Sequence, residues 1–108
     1  MTDVTITNNC QLATWEVLEK SGYSAPIDPG GNLTVPQADL TDPNSLPIQL
    51  VSGDANGTYN YTIGTAAPVA FTPTNSQYTI PLPTVPADFS MSTAGPINVS
   101  IGDGQGEF

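Results

Sequence analysis

Apolar and polar residues alternate along almost the whole of this 108-residue chain. The clearest stretch is residues 58–63, TYNYTI, in which every second side chain has the same character. Because successive side chains of a β-strand point to opposite faces, a period of two predicts strands with one buried and one solvated face. Nine strands are predicted around Val4 and Ile6, Trp15 and Val17, Leu33 and Val35, Ile48 and Leu50, Tyr59 and Tyr61, Val69 and Phe71, Tyr78 and Ile80, Phe89 and Met91, and Ile97, Val99 and Ile101.

Turn-forming residues separate these segments. The ten Gly and eleven Pro residues make up about a fifth of the chain, where roughly 12% is usual. Turn signals such as Asn8-Asn9 and Asp28-Pro29-Gly30-Gly31 lie between the strands, at a spacing typical of antiparallel sandwiches. Parallel sheets need helical crossovers, for which the pattern offers no candidate. We therefore expect one all-β domain over residues 1–108, a single antiparallel β-sandwich of eight or nine short strands.

The ionisable residues restrict the function more than the fold. The chain has no His or Arg, one Lys (Lys20), one Cys (Cys10) and ten carboxylates, with a net charge of −9. Most enzymes use a group that titrates near neutral pH, or a cation that stabilises negative charge. Binding to nucleic acids or anionic membranes needs cations as well. These counts predict a soluble, non-enzymatic protein with no nucleic-acid partner and no membrane insertion.

The cysteine count and the N-terminus bear on the compartment. A single cysteine forms no disulfide within the chain, whereas small secreted domains commonly depend on disulfides. The first residues, MTDVTITNN, carry neither the basic region nor the apolar run of a signal peptide. These features leave the location open, since a signal removed from the chain or an unusual export route fits them too, and they favour the cytoplasm slightly.

Two parts of the chain resemble thaumatin-like proteins. Residues 4–10 (VTITNNC), Trp15 and residues 28–35 (DPGGNLTV) are similar to the opening of that family, and residues 85–90 (VPADFS) are similar to a later segment. The resemblance implies a β-sandwich and, through the family's activities, glucan binding. The family's chains are longer and densely cross-linked by disulfides, and their acidic cleft contains an Arg. This chain has no Arg and no partner for Cys10, so only the sandwich architecture carries over.

Carboxylate and amide side chains in the predicted loops are candidate ligands for calcium, which prefers oxygen. Asp39, Asp42 and Asn44 form the candidate metal set, and Asp54 with Asn56 offers a smaller one. Neither group matches a known calcium-loop motif. Calcium is thus the cofactor to consider, in a protein otherwise expected to have none.

Aromatic residues suggest a second kind of ligand. Trp15, Tyr59, Tyr61 and Tyr78 fall on the strand faces assigned to the core. Tyr23, in the apparent loop Ser-Gly-Tyr-Ser, is the aromatic residue expected to be exposed. The main prediction is a non-catalytic module that binds a carbohydrate or a protein partner through its end loops, with ligand-binding residues Tyr23, Asp39, Asp42, Asp54 and Asn56.

Two alternatives remain open from the sequence. One is a structural or self-associating sandwich protein, which would display exposed strand edges. The other is a glycoside hydrolase that works with carboxylates alone, drawn from Asp28, Asp39, Asp42, Asp54 and Asp88.

Overall fold

The computed structural model of the chain describes residues 3–83 and 97–104. These residues form nine strands: β1 (Asp3–Asn8), β2 (Thr14–Glu19), β3 (Gly22–Tyr23), β4 (Asn32–Pro36), β5 (Ser45–Ser52), β6 (Tyr59–Ile63), β7 (Val69–Phe71), β8 (Gln77–Pro81) and β9 (Ile97–Asp103). One short 3₁₀ helix, Gln37–Asp39, lies between β4 and β5. The all-β sandwich is confirmed. The strand predicted around Phe89 and Met91 lies outside the described residues, and β3 was not predicted.

The strands form two sheets. The first is five-stranded, in the order β4-β1-β9-β6-β7, and the second is four-stranded, in the order β3-β2-β5-β8. Pairing between the described strands is antiparallel except for β1 and β9, which run parallel with Val4 opposite Ile97. Parallel neighbours need a long connection. Here the connection is nearly the whole chain, because β1 and β9 come from its two ends, so no crossover helix is required.

The core is aromatic at its centre, as the alternation predicts. Trp15 of β2 is fully buried and meets Tyr59 edge-on, with ring centroids 5.1 Å apart. Phe71 of β7 stacks on Tyr78 of β8 at 4.3 Å, which joins the two sheets. Tyr61 packs against Phe71 at 6.0 Å. Such ring pairs add to the free energy gained by burying the rings themselves.

Asn8 is a polar residue among the mainly apolar inward-facing side chains of the described strands. Its predicted role in a turn is wrong, because Asn8 is the last residue of β1 and is completely buried. Its Nδ2 donates to the carbonyl oxygens of Ala13 (2.7 Å) and Ile27 (2.8 Å), and its Oδ1 accepts from the backbone N–H of Cys10 (3.0 Å). One buried amide thus links β1 to two separate connections.

The strand directions sort the connections into two ends of the sandwich. The end where β1 finishes, called the Asn8 end, carries the connections 9–13, 24–31, 53–58 and 72–76. The opposite end, called the Asp3 end, carries 20–21, 37–44 and 64–68. No helix among the described residues is long and apolar enough to cross a membrane.

Candidate binding face

The acidic residues predicted to bind ligand do not form one site. Asp39, Asp42 and Asn44 share one connection at the Asp3 end, whereas Asp54 and Asn56 lie in the β5–β6 connection at the Asn8 end. The two groups are therefore separated by the length of the strands. A single ligand at the loops of one end would not contact both groups.

The carboxylates of these connections mainly shape the local turns. Asp42 accepts hydrogen bonds from the N–H of Asn44 (2.9 Å) and the hydroxyl of Ser45 (3.3 Å). Asp54 accepts from the N–H of Asn56 at 2.9 Å. Asp side chains commonly stabilise turns in this way. In the described ranges no three His, Cys, Asp or Glu side chains gather as metal ligands, and calcium binding by Asp39, Asp42 and Asn44 stays a prediction.

Tyr23 lies on a strand, so its predicted place in a loop is wrong. The chain reverses over residues 20–21, immediately after β2. Gly22, the first residue of β3, has a φ of 121°, a conformation that favours glycine. Tyr23 then pairs with Leu18 of β2. The next residue, Ser24, extends the pairing: its N–H donates to the Val17 carbonyl (2.8 Å) and its hydroxyl accepts from the Val17 N–H (3.0 Å).

This pairing places Tyr23 on the outer face of the four-stranded sheet. Trp15 and Val17 point into the core, so Leu18 and its neighbour Tyr23 point outward. Tyr23 is 44% exposed and Leu18 is 36% exposed. A half-exposed ring is consistent with one side against the protein and one side toward solvent.

The Tyr23 side chain reaches across the sheet. Its Oη accepts a hydrogen bond of 3.0 Å from Nε2 of Gln77. Tyr23 and Gln77 belong to the two edge strands β3 and β8, with β2 and β5 between them. Three inter-strand spacings amount to about 14 Å, so the two side chains together must span the intervening strands. The phenol ring is consequently held along the sheet surface.

A row of planar polar side chains lies beside the Tyr23 ring on the same face of the sheet. The register sets Glu16 opposite Gln49, and Gln49 opposite Gln77. Gln77 Nε2 also donates to Gln49 Oε1 at 3.3 Å. Among the described residues no partner uses the Gln49 amide N–H groups, Gln77 Oε1 or the Tyr23 O–H proton, so donors and an acceptor remain for a ligand. We define the binding face by Tyr23, Leu18, Glu16, Gln49 and Gln77.

Gln49 and Gln77 were not identified from the sequence. Each is a polar residue at an outward position of a strand, as expected of any solvated face. Only the register across β2, β5 and β8 shows that they share a row with Glu16. Alternation predicts the face of a residue, but it does not predict which strands are neighbours.

The single thiol is far from reactive. Cys10 is 3% exposed, and its sulfur lies 3.8 Å from the Ile101 carbonyl oxygen and also interacts with the Trp15 indole and the Asp103 carboxylate. Burial raises the pKa of Cys10 from 9.0 to about 11, while the neighbouring Trp15 indole opposes this rise. A thiol that remains protonated is a poor nucleophile.

We expect iodoacetamide at pH 8 to alkylate Cys10 at least about 100-fold more slowly in the folded protein than in denaturant, since two pKa units reduce the thiolate fraction by that factor. Because the pKa is raised in the folded state, the associated stabilisation is present below pH 9 and is lost as the pH rises through about 11. Mass spectrometry of quenched time points measures the rate. Equal rates in both states would contradict the burial of the thiol.

Comparison of the chain with protein-family models, with curated proteins and with solved structures finds no match. The resemblance to thaumatin-like proteins therefore stays a prediction. Its segment 85–90 lies outside the described residues.

Proposed function

We propose that this protein is a non-catalytic binding module that binds a carbohydrate chain across the binding face. The observation that carries the proposal is the Tyr23 ring, half-exposed and held along the sheet by its 3.0 Å hydrogen bond with Gln77. The proposal keeps Tyr23 as a ligand-binding residue but moves the site from the end loops to a sheet face.

The chemistry of the face suits a sugar. A pyranose ring presents an apolar C–H surface, which can pack on an aromatic ring, and hydroxyl groups around its edge, which need donors and acceptors. The Gln49 and Gln77 amides offer both kinds of group without a full charge. The Tyr23–Gln77 hydrogen bond fixes the ring before binding, which lowers the entropy lost when a ligand orders the site.

The two alternatives have less support. The sheet edges suit self-association poorly: β3 and β7 have two and three residues, and β4 and β8 end in Pro36 and Pro81, each of which lacks an N–H donor. For a hydrolase, two carboxylates must flank one bond. Asp42 and Asp54 are engaged in turns at opposite ends, and Asp88 lies outside the described residues.

Replacing Tyr23 with Ala should weaken glycan binding about 10- to 100-fold, because burying an aromatic ring contributes roughly 1.5–3 kcal/mol. Tyr23→Phe keeps the ring and should weaken binding only about 2- to 5-fold, the effect of roughly one hydrogen bond. A glycan array identifies the ligand, and isothermal titration calorimetry then measures both variants. Leu12→Ala is the matched control, since Leu12 is 82% exposed and lies at the Asn8 end.

The array is run with calcium and with a chelator. Binding at the face described here needs no metal, so both conditions should give the same result. Calcium-dependent binding that Asp42→Asn abolishes would move the site to the 37–44 connection. Absence of any glycan ligand in both conditions, or full affinity in Tyr23→Ala, would overturn the proposal.

A further inference from the structure

A second polar surface lies on the opposite side of the sandwich from the binding face. The outer face of the five-stranded sheet contains a depression of about 450 Å³, here called the Gly102 depression. Its volume lies within the range of small-ligand sites. Strands β6 and β9 and the 9–13 connection border the depression, and the residues that line it include Asn9, Gln11, Asn60, Thr62, Ser100 and Gly102.

The depression exists because β9 has a glycine at an outward position. Gly102 follows the buried Ile101 and pairs with Asn60 of β6. A Cβ added to Gly102 would lie 3.0 Å from Asn60 Oδ1. Glycine within a strand weakens the strand and often marks a place where another group approaches the backbone. The bare backbone of Gly102 therefore forms the floor, with the Asn60 amide beside it.

The polar side chains around this floor have unused hydrogen-bonding groups. Elsewhere on the same sheet face two hydroxyls bond to each other, since Thr5 Oγ1 lies 3.1 Å from Thr34 Oγ1. Within the described part of the chain, no hydrogen bond engages the side chains that line the depression, which are Asn9, Gln11, Asn60, Thr62 and Ser100. Amides and hydroxyls both donate and accept, so the lining offers both kinds of group to one small ligand.

These lining side chains are uncharged. Asp103 also borders the depression, but it continues the inward phase of β9, opposite the buried Tyr59. Its carboxylate accepts a 3.1 Å hydrogen bond from the Gln11 backbone N–H and interacts with the buried Cys10, on the core side. A neutral ligand suits such a lining, and the net charge of −9 disfavours an anionic one.

We propose that the Gly102 depression binds one residue of a neutral sugar, as a second carbohydrate site. A pyranose carries several hydroxyl groups, and each of them needs the donors and acceptors that amide and hydroxyl side chains supply. The backbone floor lets the sugar ring approach β9, where a larger residue than Gly102 would exclude it.

The site is independent of the binding face, because the two surfaces lie on different sheets. A protein with both sites occupied would connect two glycan chains. Only this consequence rests on the proposed function.

Four neutral methyl glycosides are the probes: the glucoside, the galactoside, the mannoside and the N-acetylglucosaminide. The ¹⁵N chemical shifts of the full chain are the readout. With at least one probe we expect saturable shifts at Gly102, Asn60 and Gln11, with a Kd on the order of 1 mM that does not change with salt. 2-Methoxytetrahydropyran keeps the ring but lacks the hydroxyls, and should bind at least about tenfold more weakly.

Two variants test the depression itself. Gly102→Ala raises the floor, and Asn60→Ala removes the amide beside it; each should weaken binding about fivefold or more. The methyl added in Gly102→Ala displaces only the end of the flexible Asn60 side chain, so we expect this variant to fold, which its spectrum will show. Thr5→Ala is the matched control. It removes a hydroxyl from the same sheet face, outside the depression, and should leave the affinity unchanged.

Weaker binding in both folded variants, with full affinity in Thr5→Ala, supports the second site. Absence of shifts at the depression with all four glycosides, unchanged affinity in both variants, or equal binding of 2-methoxytetrahydropyran would overturn it. Tyr23→Ala should retain these shifts, which separates the two proposals. If glycan binding at the Tyr23 face fails and the shifts persist, only the proposed function is lost.

Discussion

Asn8→Asp should destabilise the protein by about 4 kcal/mol or more at neutral pH. The Asn8 amide donates to the Ala13 and Ile27 carbonyl oxygens at 2.7 and 2.8 Å, and a carboxylate has no donor to replace it. The substitution removes the Asn8 donor from the Ala13 carbonyl and leaves the Ile27 carbonyl with only its 3.3 Å bond from the Trp15 N–H, at roughly 1–3 kcal/mol for each lost bond. It also directs negative charge at both carbonyls in a fully buried position. The free energy of unfolding of a native domain is only about 5–15 kcal/mol, so this substitution would remove a large part of it.

Asn9→Asp is the matched control. It introduces the same charge one residue later, at an exposed position, and should change the free energy of unfolding by less than about 0.5 kcal/mol. Urea unfolding followed by circular dichroism measures both variants. Acidic pH should restore part of the stability of Asn8→Asp, since a protonated carboxyl donates to one of the two carbonyls. Equal stability of the two variants would contradict the role assigned to the Asn8 amide.

The alternation of β1 indicates that Asn8 is buried, although the dipeptide Asn8-Asn9 predicts a turn. Asn8 continues the inward phase of Val4 and Ile6 in β1, so the period of two places its side chain in the core. A polar residue in that phase must have hydrogen-bond partners. Its partners are carbonyls 5 and 19 residues away, and their approach depends on the tertiary structure. Local chemistry predicts the position of Asn8, but it does not predict what binds it.

The candidate binding face is a stronger example of contacts that the local sequence does not predict. Alternation correctly assigns Trp15 and Tyr61 to the core, because burial of apolar surface determines which face of a strand is hidden. The contact between Tyr23 and Gln77 joins residues 54 positions apart in the chain and requires the order β3-β2-β5-β8. Since β3 has only two residues, it carries too little periodicity to be recognised as a strand. The outward position of a residue is thus predictable, whereas its neighbours on other strands are not.

Trp15→Ala should lower the free energy of unfolding by about 3–5 kcal/mol, the usual effect of removing a fully buried aromatic side chain. Trp15 is 0% exposed and contacts Tyr59 and Phe71 at centroid distances of 5.1 and 5.9 Å. The substitution leaves a cavity between the two sheets and removes both ring contacts. Chemical unfolding followed by circular dichroism is the suitable measurement, because Trp15 is the only tryptophan and its fluorescence is lost with it.

Trp15→Phe distinguishes the packing of the ring from its polarity. Among the described residues the Trp15 Nε1–H meets no acceptor with ordinary hydrogen-bond geometry, and its interaction with the Cys10 sulfur, which lowers the pKa of the thiol, is weak because sulfur is a weak acceptor. A poorly paired buried donor costs roughly 1–3 kcal/mol. Phe keeps an aromatic ring against Tyr59 and removes this donor. The gain from removing the donor partly offsets the stability lost because the Phe ring is smaller. We expect Trp15→Phe to lower the free energy of unfolding by only about 1–2 kcal/mol. A loss equal to that of Trp15→Ala would show that the Trp15 N–H has a favourable partner in solution.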